Sequence, residues 1–182
     1  MKQVEAAKLP AEGLASALSG AGSRRRWRLV FTSASGDLRS ATGGGRYFPI
    51  TAVQSWELPL PPASAPAAGA LALDGRIVNG VYGGYLFALQ FSGPCRLLGR
   101  RLEFDFTALR VKVLGAAFRF SLKKEGYALP PRGTREAAKL PFFLFAQADE
   151  NTVVARGRSG GLAMWARAEP SWVLMKGAEV LQ

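Results

Sequence analysis

Apolar positions along the chain recur mostly at every second residue, a period that predicts strands instead of helices. Trp27, Leu29 and Phe31 share one side of the first run, with Arg28, Val30 and Thr32 on the other. Tyr85, Phe87, Leu89 and Phe91 alternate likewise, and Leu102, Phe104 and Phe106 alternate with Arg101, Glu103 and Asp105. Beyond Thr107–Ala108 the apolar phase moves from even to odd numbers, through Leu109, Val111 and Val113. A one-residue slip would turn the core face outward, so the shift predicts a bulge or corner near Thr107–Ala108. Further strands are expected at Tyr47–Leu58 (broken at Pro49), across Ile77–Cys95, and at Phe118–Leu122, Phe142–Gln147, Val153–Arg158 and Gly161–Ala168. Turn signals fall at Ser92-Gly93-Pro94, Asp149-Glu150-Asn151 and Ser159-Gly160.

Helical spacing is confined to residues 2–20, with Val4, Ala7 and Lys8 before Pro10 and Leu14, Ala17 and Leu18 before Gly20. Residues 58–70 read as a Pro/Ala linker, and 123–139 as an irregular excursion with at most one helical turn. The expected fold is therefore all-β, an antiparallel up-and-down barrel with a short N-terminal helical segment. Its expected boundaries are a helical segment at 1–23, the barrel at 24–170 and a tail at 171–182. Closing the sheet removes exposed strand edges and, at eight or more strands, leaves room for one small ligand.

Composition narrows the chemistry more than it narrows the fold. The 182 residues include no His and one Cys. That excludes a Ser-His-Asp triad, His-ligated metal and an internal disulfide. Gly43–Gly45 and Gly160-Gly161 lack the Lys-Ser/Thr of a phosphate loop. Glu103 and Asp105 stand at a spacing compatible with paired-carboxylate chemistry, but their alternation against apolar residues makes them solvent-facing charges. Cys95, between Pro94 and Arg96, is a candidate for a lowered thiol pKa, with no neighbouring base to make it a nucleophile. The expectation is a protein that is not an enzyme and uses no metal or cofactor.

Lys and Arg number 24 against 13 Asp and Glu, a net charge of +11, and the positive residues are dispersed. A basic surface of this kind suits solvent or an anionic membrane. Their densest group is Arg24, Arg25, Arg26 and Arg28 around Trp27. Nucleic-acid binding by Trp27 stacking on a base is disfavoured, because Trp27 is in phase with Leu29 and Phe31. Ile77–Cys95 is free of charge for 19 residues, yet Asn79, Gln90, four glycines, Pro94 and its alternation make it strands, not a spanning helix. Glu5 and Glu12, with no apolar run, argue against a secretory signal at the start.

Several elements recur in a recognisable order: Arg26-Trp-Arg-Leu-Val-Phe-Thr-Ser33, Tyr47-Phe-Pro-Ile50, Val78-Asn-Gly-Val-Tyr82, Phe91-Ser-Gly-Pro94 and Arg101-Leu-Glu-Phe-Asp-Phe106. Asp149, Val154-Ala-Arg-Gly157 and a last strand ending at Arg167 complete the set. Over residues 24–168 this order resembles the plastid lipid-associated proteins, also called plastid fibrillins. The resemblance implies a lipocalin-like barrel, residence in the plastid (chloroplast), and peripheral association with plastoglobule or thylakoid surfaces. It implies a structural or lipid-binding role without catalysis.

In such a barrel Phe31, Phe87, Phe91, Phe104, Phe106, Phe118 and Phe120 are expected to line the interior. A dry aromatic lining suits a prenyl lipid, an acyl chain or a carotenoid better than a polar metabolite. Trp27 on the first strand and Arg167 on the last are expected to meet where the barrel closes, guanidinium over indole. An alternative role is a protein-binding adaptor for a prenyl-lipid biosynthetic enzyme, with Trp56, Trp165 or Trp172 as anchors.

Overall fold

The period-2 segments are strands in the computed structural model, which describes residues 11–20, 25–33, 45–47, 51–59 and 72–178. Strands β1 (Trp27–Ser33), β2 (Gly45–Tyr47), β3 (Thr51–Glu57), β4 (Ala72–Gly83) and β5 (Phe87–Leu98) are followed by β6 (Arg101–Phe104). Next come β7 (Ala108–Val113), β8 (Ala116–Ser121), β9 (Phe142–Ala148), β10 (Thr152–Gly157) and β11 (Leu162–Arg167). Two short helices, α1 (Ala11–Ser19) and α2 (Pro170–Met175), flank them, and a 3-10 turn covers Ala137–Lys139. Val4, Ala7, Lys8, Arg24, Pro49, Gly43 and the 60–70 part of the linker lie outside the described residues.

Eight strands close a barrel in the order β1-β3-β4-β5-β6-β9-β10-β11 and back to β1, each antiparallel to its neighbours. Sequence neighbours are spatial neighbours throughout this circuit, which is the up-and-down arrangement. Strand β2 adds to the end of β1, and β7–β8 leave the barrel as a hairpin.

The phase shift at Thr107–Ala108 is a corner. Strand β5 pairs with β6 along Cys95–Leu98 and with β7 along Phe87–Ser92, so the chain changes partner segment at residues 105–107. Phe104 and Leu109 consequently face the same side, opposite Cys95 and Phe91 of β5. Ser92-Gly93-Pro94 is not the turn its composition predicts: it runs straight through β5, at the level of this corner. The Pro94 carbonyl accepts the Asp105 N–H at 3.2 Å. The missing N–H of Pro94 therefore faces the interruption in the ladder, where no strand partner needs it.

Helix α1 closes one end of the barrel. Leu14 and Leu18 are fully buried against Trp27 and Trp56. The Trp27 indole donates to the Leu18 carbonyl at 2.9 Å, and the Leu58 N–H donates to the Ser19 hydroxyl at 2.9 Å. Nine residues are too few for a stable isolated helix, so this packing holds it. Inside, Trp56 meets Phe145 and Trp165 edge-on at 5.6 and 5.7 Å, a favoured geometry for aromatic pairs.

Two further features depart from the sequence reading. Residues 171–175, expected within a tail, belong to a helix that starts with proline at Pro170, and it buries Val173 against Val53, Tyr82 and Ala88 on the outer wall. The excursion 123–139 covers the outside of β5 and β6: Tyr127 donates to Asp105 at 2.7 Å and Arg96 to the Pro130 carbonyl at 3.1 Å. Glu103 is thereby buried, paired with Arg101 at 3.0 Å, instead of solvent-facing.

Candidate functional site

Cross-strand partners share a face, so the inner wall can be read from register. Ala52, Gln54 and Trp56 of β3 stand opposite Val81, Asn79 and Ile77 of β4. At the end away from α1 these walls border a partly open cavity of about 190 Å³, lined by Leu29, Thr32, Gln54, Asn79, Phe143 and Trp165, among others. Its lining is mostly apolar, and its polarity comes from two carboxamides and a hydroxyl. Gln54 is only 3% exposed, and its amide nitrogen has no hydrogen-bond partner. A ligand acceptor such as a carbonyl oxygen would relieve that unpaired donor, which costs about 1–3 kcal/mol when left buried. The volume is below the roughly 300–1,000 Å³ of drug-sized pockets, so the cavity is too small to enclose the whole of a long-chain molecule.

The apolar inner face does not stop at the cavity. It continues from β5 onto the β7–β8 hairpin, a flange outside the closed wall. Three cross-strand rows make it: Phe87–Val113–Ala116, Leu89–Val111–Phe118 and Phe91–Leu109–Phe120. All nine positions are apolar, while the opposite face carries Gln90, Arg110, Lys112 and Arg119. Phe118 and Phe120 are 55% and 51% exposed.

The seven phenylalanines therefore occupy four environments. Phe104 is buried in the core, stacked on Phe143 at 5.0 Å, and Phe106 joins it while touching Phe91 at 5.4 Å. Phe87 and Phe91 lie where barrel and flange meet, and Phe118 and Phe120 sit on the flange instead of inside the closed wall. Phe31 leaves the inner face altogether. A bulge between Leu29 and Phe31 pairs Phe31 with Met164 and sets Thr32 opposite Ala163, beside the cavity. A bulge reverses which residues point inward after it.

Trp27 and Arg167 are register partners across the β1–β11 closure. No guanidinium–indole stack forms between them among the described residues. The Trp27 indole is engaged by Leu18, and Arg167 pairs with Glu169 at 3.6 Å. Cation–π contacts lie instead at Arg28 over Trp172, at 5.6 Å, and Arg101 over Phe142, at 4.0 Å. Trp56 and Trp165 are interior and present no ring to a partner.

Burial, and then the Asp74 and Glu57 carboxylates, push the Cys95 thiol up to about 12, the reverse of the expected lowering. In the folded protein Cys95 should therefore react with a disulfide reagent at least about 100-fold more slowly than after denaturation, as read by thiol titration with and without guanidinium. Equal rates would place the thiol at the surface. Burial likewise raises the Tyr82 phenol, which accepts a hydrogen bond from Gln90 at 3.1 Å. No group of three or more His, Cys, Asp or Glu side chains comes together in metal-binding geometry among the described residues. Among them, no helix is long and apolar enough to cross a membrane. No family model, curated protein or solved structure matches the chain.

The polar cavity residues were the part hidden from sequence reading. Gln54 interrupts an inner row of Ala52 and Trp56, and an uncharged amide at a core-phase position of a strand is the signal that would have found it. Asn79 offers the same signal on β4.

Proposed function

We propose that this chain is a non-enzymatic lipid-binding protein that takes one end of a prenyl lipid, acyl chain or carotenoid into the barrel and supports the remainder on the flange. The observation that carries the reading is the apolar face of β5, β7 and β8, which runs from Phe91, the register partner of cavity-lining Asn79, onto the exposed Phe118 and Phe120. A contiguous apolar face that stays exposed marks an interaction site. The order of motifs supports placement in the plastid, peripheral to plastoglobule or thylakoid membranes, and the net charge of +11 supports contact with their anionic lipids.

The test is native mass spectrometry of the purified protein, organic extraction, and uptake of cis-parinaric acid by stripped protein. One apolar lipid per chain is expected, with quenching of Trp165, which lines the cavity. A lipid-free mass with no uptake of the fluorescent acid would overturn the reading. A stoichiometric protein partner recovered without lipid would replace it with the adaptor role.

A further inference from the structure

We propose that the rim at the end of the barrel away from α1 is a membrane-insertion crest that seats this end on an anionic lipid surface. This deepens the lipid-binding reading by assigning where the lipid phase is met, and it rests on that reading only for the cargo. The rim is built from the β4–β5 turn, the β7–β8 turn and helix α2. Tyr85, Leu86, Val113, Leu114, Leu174 and Met175 are its exposed apolar side chains. Backbone and phenol hydrogen bonds fix them as one unit: the Leu114 N–H donates to the Leu86 carbonyl at 2.8 Å, and the Tyr85 hydroxyl to the Leu174 carbonyl at 2.7 Å.

An independent observation comes from the β7–β8 turn itself. Val113 pairs with Ala116, leaving a two-residue loop of Leu114 and Gly115. Their φ angles are 49° and 89°, both in the left-handed region. Such a loop favours Asn-Gly, because asparagine tolerates positive φ and a large apolar residue does not. Here the strained position holds a leucine that is 77% exposed and has no core to fill. A residue that breaks the local rule without a packing gain points to function.

Charge selects the occupant. The segments that build the crest and flange, residues 83–91, 108–121 and 170–178, contain Arg110, Lys112, Arg119 and Lys176 and no Asp or Glu. Exposed Leu, Tyr and Met tips on segments whose charges are all positive match the boundary between acyl chains and anionic head groups. Protein interfaces are instead depleted in lysine at their centres. Three separate tips also make a crest, unlike the flat strand edge through which two copies of a sheet would join.

The experiment is flotation with phosphatidylcholine vesicles, with and without phosphatidylglycerol, for wild type, Leu114→Asn and Leu174→Ser. Wild type is expected to float with the phosphatidylglycerol vesicles, less so at high salt. Each variant is expected to bind about tenfold more weakly, the loss of one buried leucine side chain. Leu114→Asn should also melt about 2 °C higher than wild type, because asparagine suits the turn. Weaker binding from a more stable protein cannot come from unfolding, and Leu174→Ser gives the same readout on a different element. Variants that float like wild type would overturn the proposal. So would a wild-type dimer that Leu114→Asn converts to monomer while neither floats, since the crest would then join two copies. Uptake of cis-parinaric acid separates the two readings: uptake without flotation removes the crest and keeps the cavity, and crest-dependent flotation without uptake does the reverse.

Discussion

Trp56→Ala should lower the thermal midpoint by about 6–20 °C, from a loss of about 3–5 kcal/mol at roughly 2–4 °C per kcal/mol for a chain of this size. Trp56 is fully buried and is the ring on which three others converge: Trp27 at 6.4 Å, Phe145 at 5.6 Å and Trp165 at 5.7 Å. It stands between the α1 plug and the cavity, so removing it leaves a void that the stiff walls of a closed barrel cannot collapse to fill. Trp56→Phe should be far milder. The indole N–H has no hydrogen-bond partner, and an unpaired buried donor costs about 1–3 kcal/mol. Phenylalanine removes that donor, offsetting part of the lost volume. Calorimetry of the two variants checks the pair, and an alanine variant melting within about 2 °C of wild type would refute this account of the core. Gln54 lies two residues along the same inner row. The alanine variant should therefore also take up more cis-parinaric acid, as the void joins the cavity.

Much of the fold is legible because period 2 is dictated by the pleat and is independent of partners. Strands β9, β10 and β11 and the turns between them fall where alternation and turn residues place them, and the corner at 105–107 is visible as a change of phase. What stays hidden depends on a partner chosen elsewhere in the chain. The bulge in β1 adds one residue, and Arg-Leu-Val-Phe alternates acceptably in either register; the pairing with β11 decides it. Ser92-Gly93-Pro94 consists of turn formers, yet long-range pairing with β4 holds it extended. Helix α2 is only six residues, too short to display a period, and is held by Val173 against the barrel wall.

The candidate site divides along the same line. The aromatic rows of β5, β7 and β8 are readable as apolar faces. Alternation is identical whether a hairpin closes a barrel or splays from it, so period alone cannot distinguish Phe104 in the core from Phe118 in the open. The exposed crest was hidden for another reason. Leu86, Leu114 and Leu174 are far apart in sequence and meet only through the turns they occupy.

Gly93→Ala tests the corner, on which both cavity and flange depend, and is expected to destabilise the chain by at least about 2–3 kcal/mol. A methyl group at this position would fall on the Asp105 carbonyl oxygen and within 2.9 Å of the Thr107 amide nitrogen. Both are backbone atoms, so no rotamer change makes room. The corner is drawn close by the Asp105 N–H on the Pro94 carbonyl, at 3.2 Å, and the Thr107 N–H on the Ser92 carbonyl, at 2.9 Å. Added bulk must break one or both, and the damage should be local first. Among the described residues, strands β7 and β8 pair with the barrel wall only through β5, so the flange should loosen before the eight-stranded wall. Hydrogen exchange should show amides of residues 106–121 losing protection while β9, β10 and β11 keep theirs, with flange-supported lipid uptake falling in parallel. Uniform loss of protection across all strands would mean that the flange and the barrel unfold as one unit, and that Gly93 serves the whole wall instead of the corner.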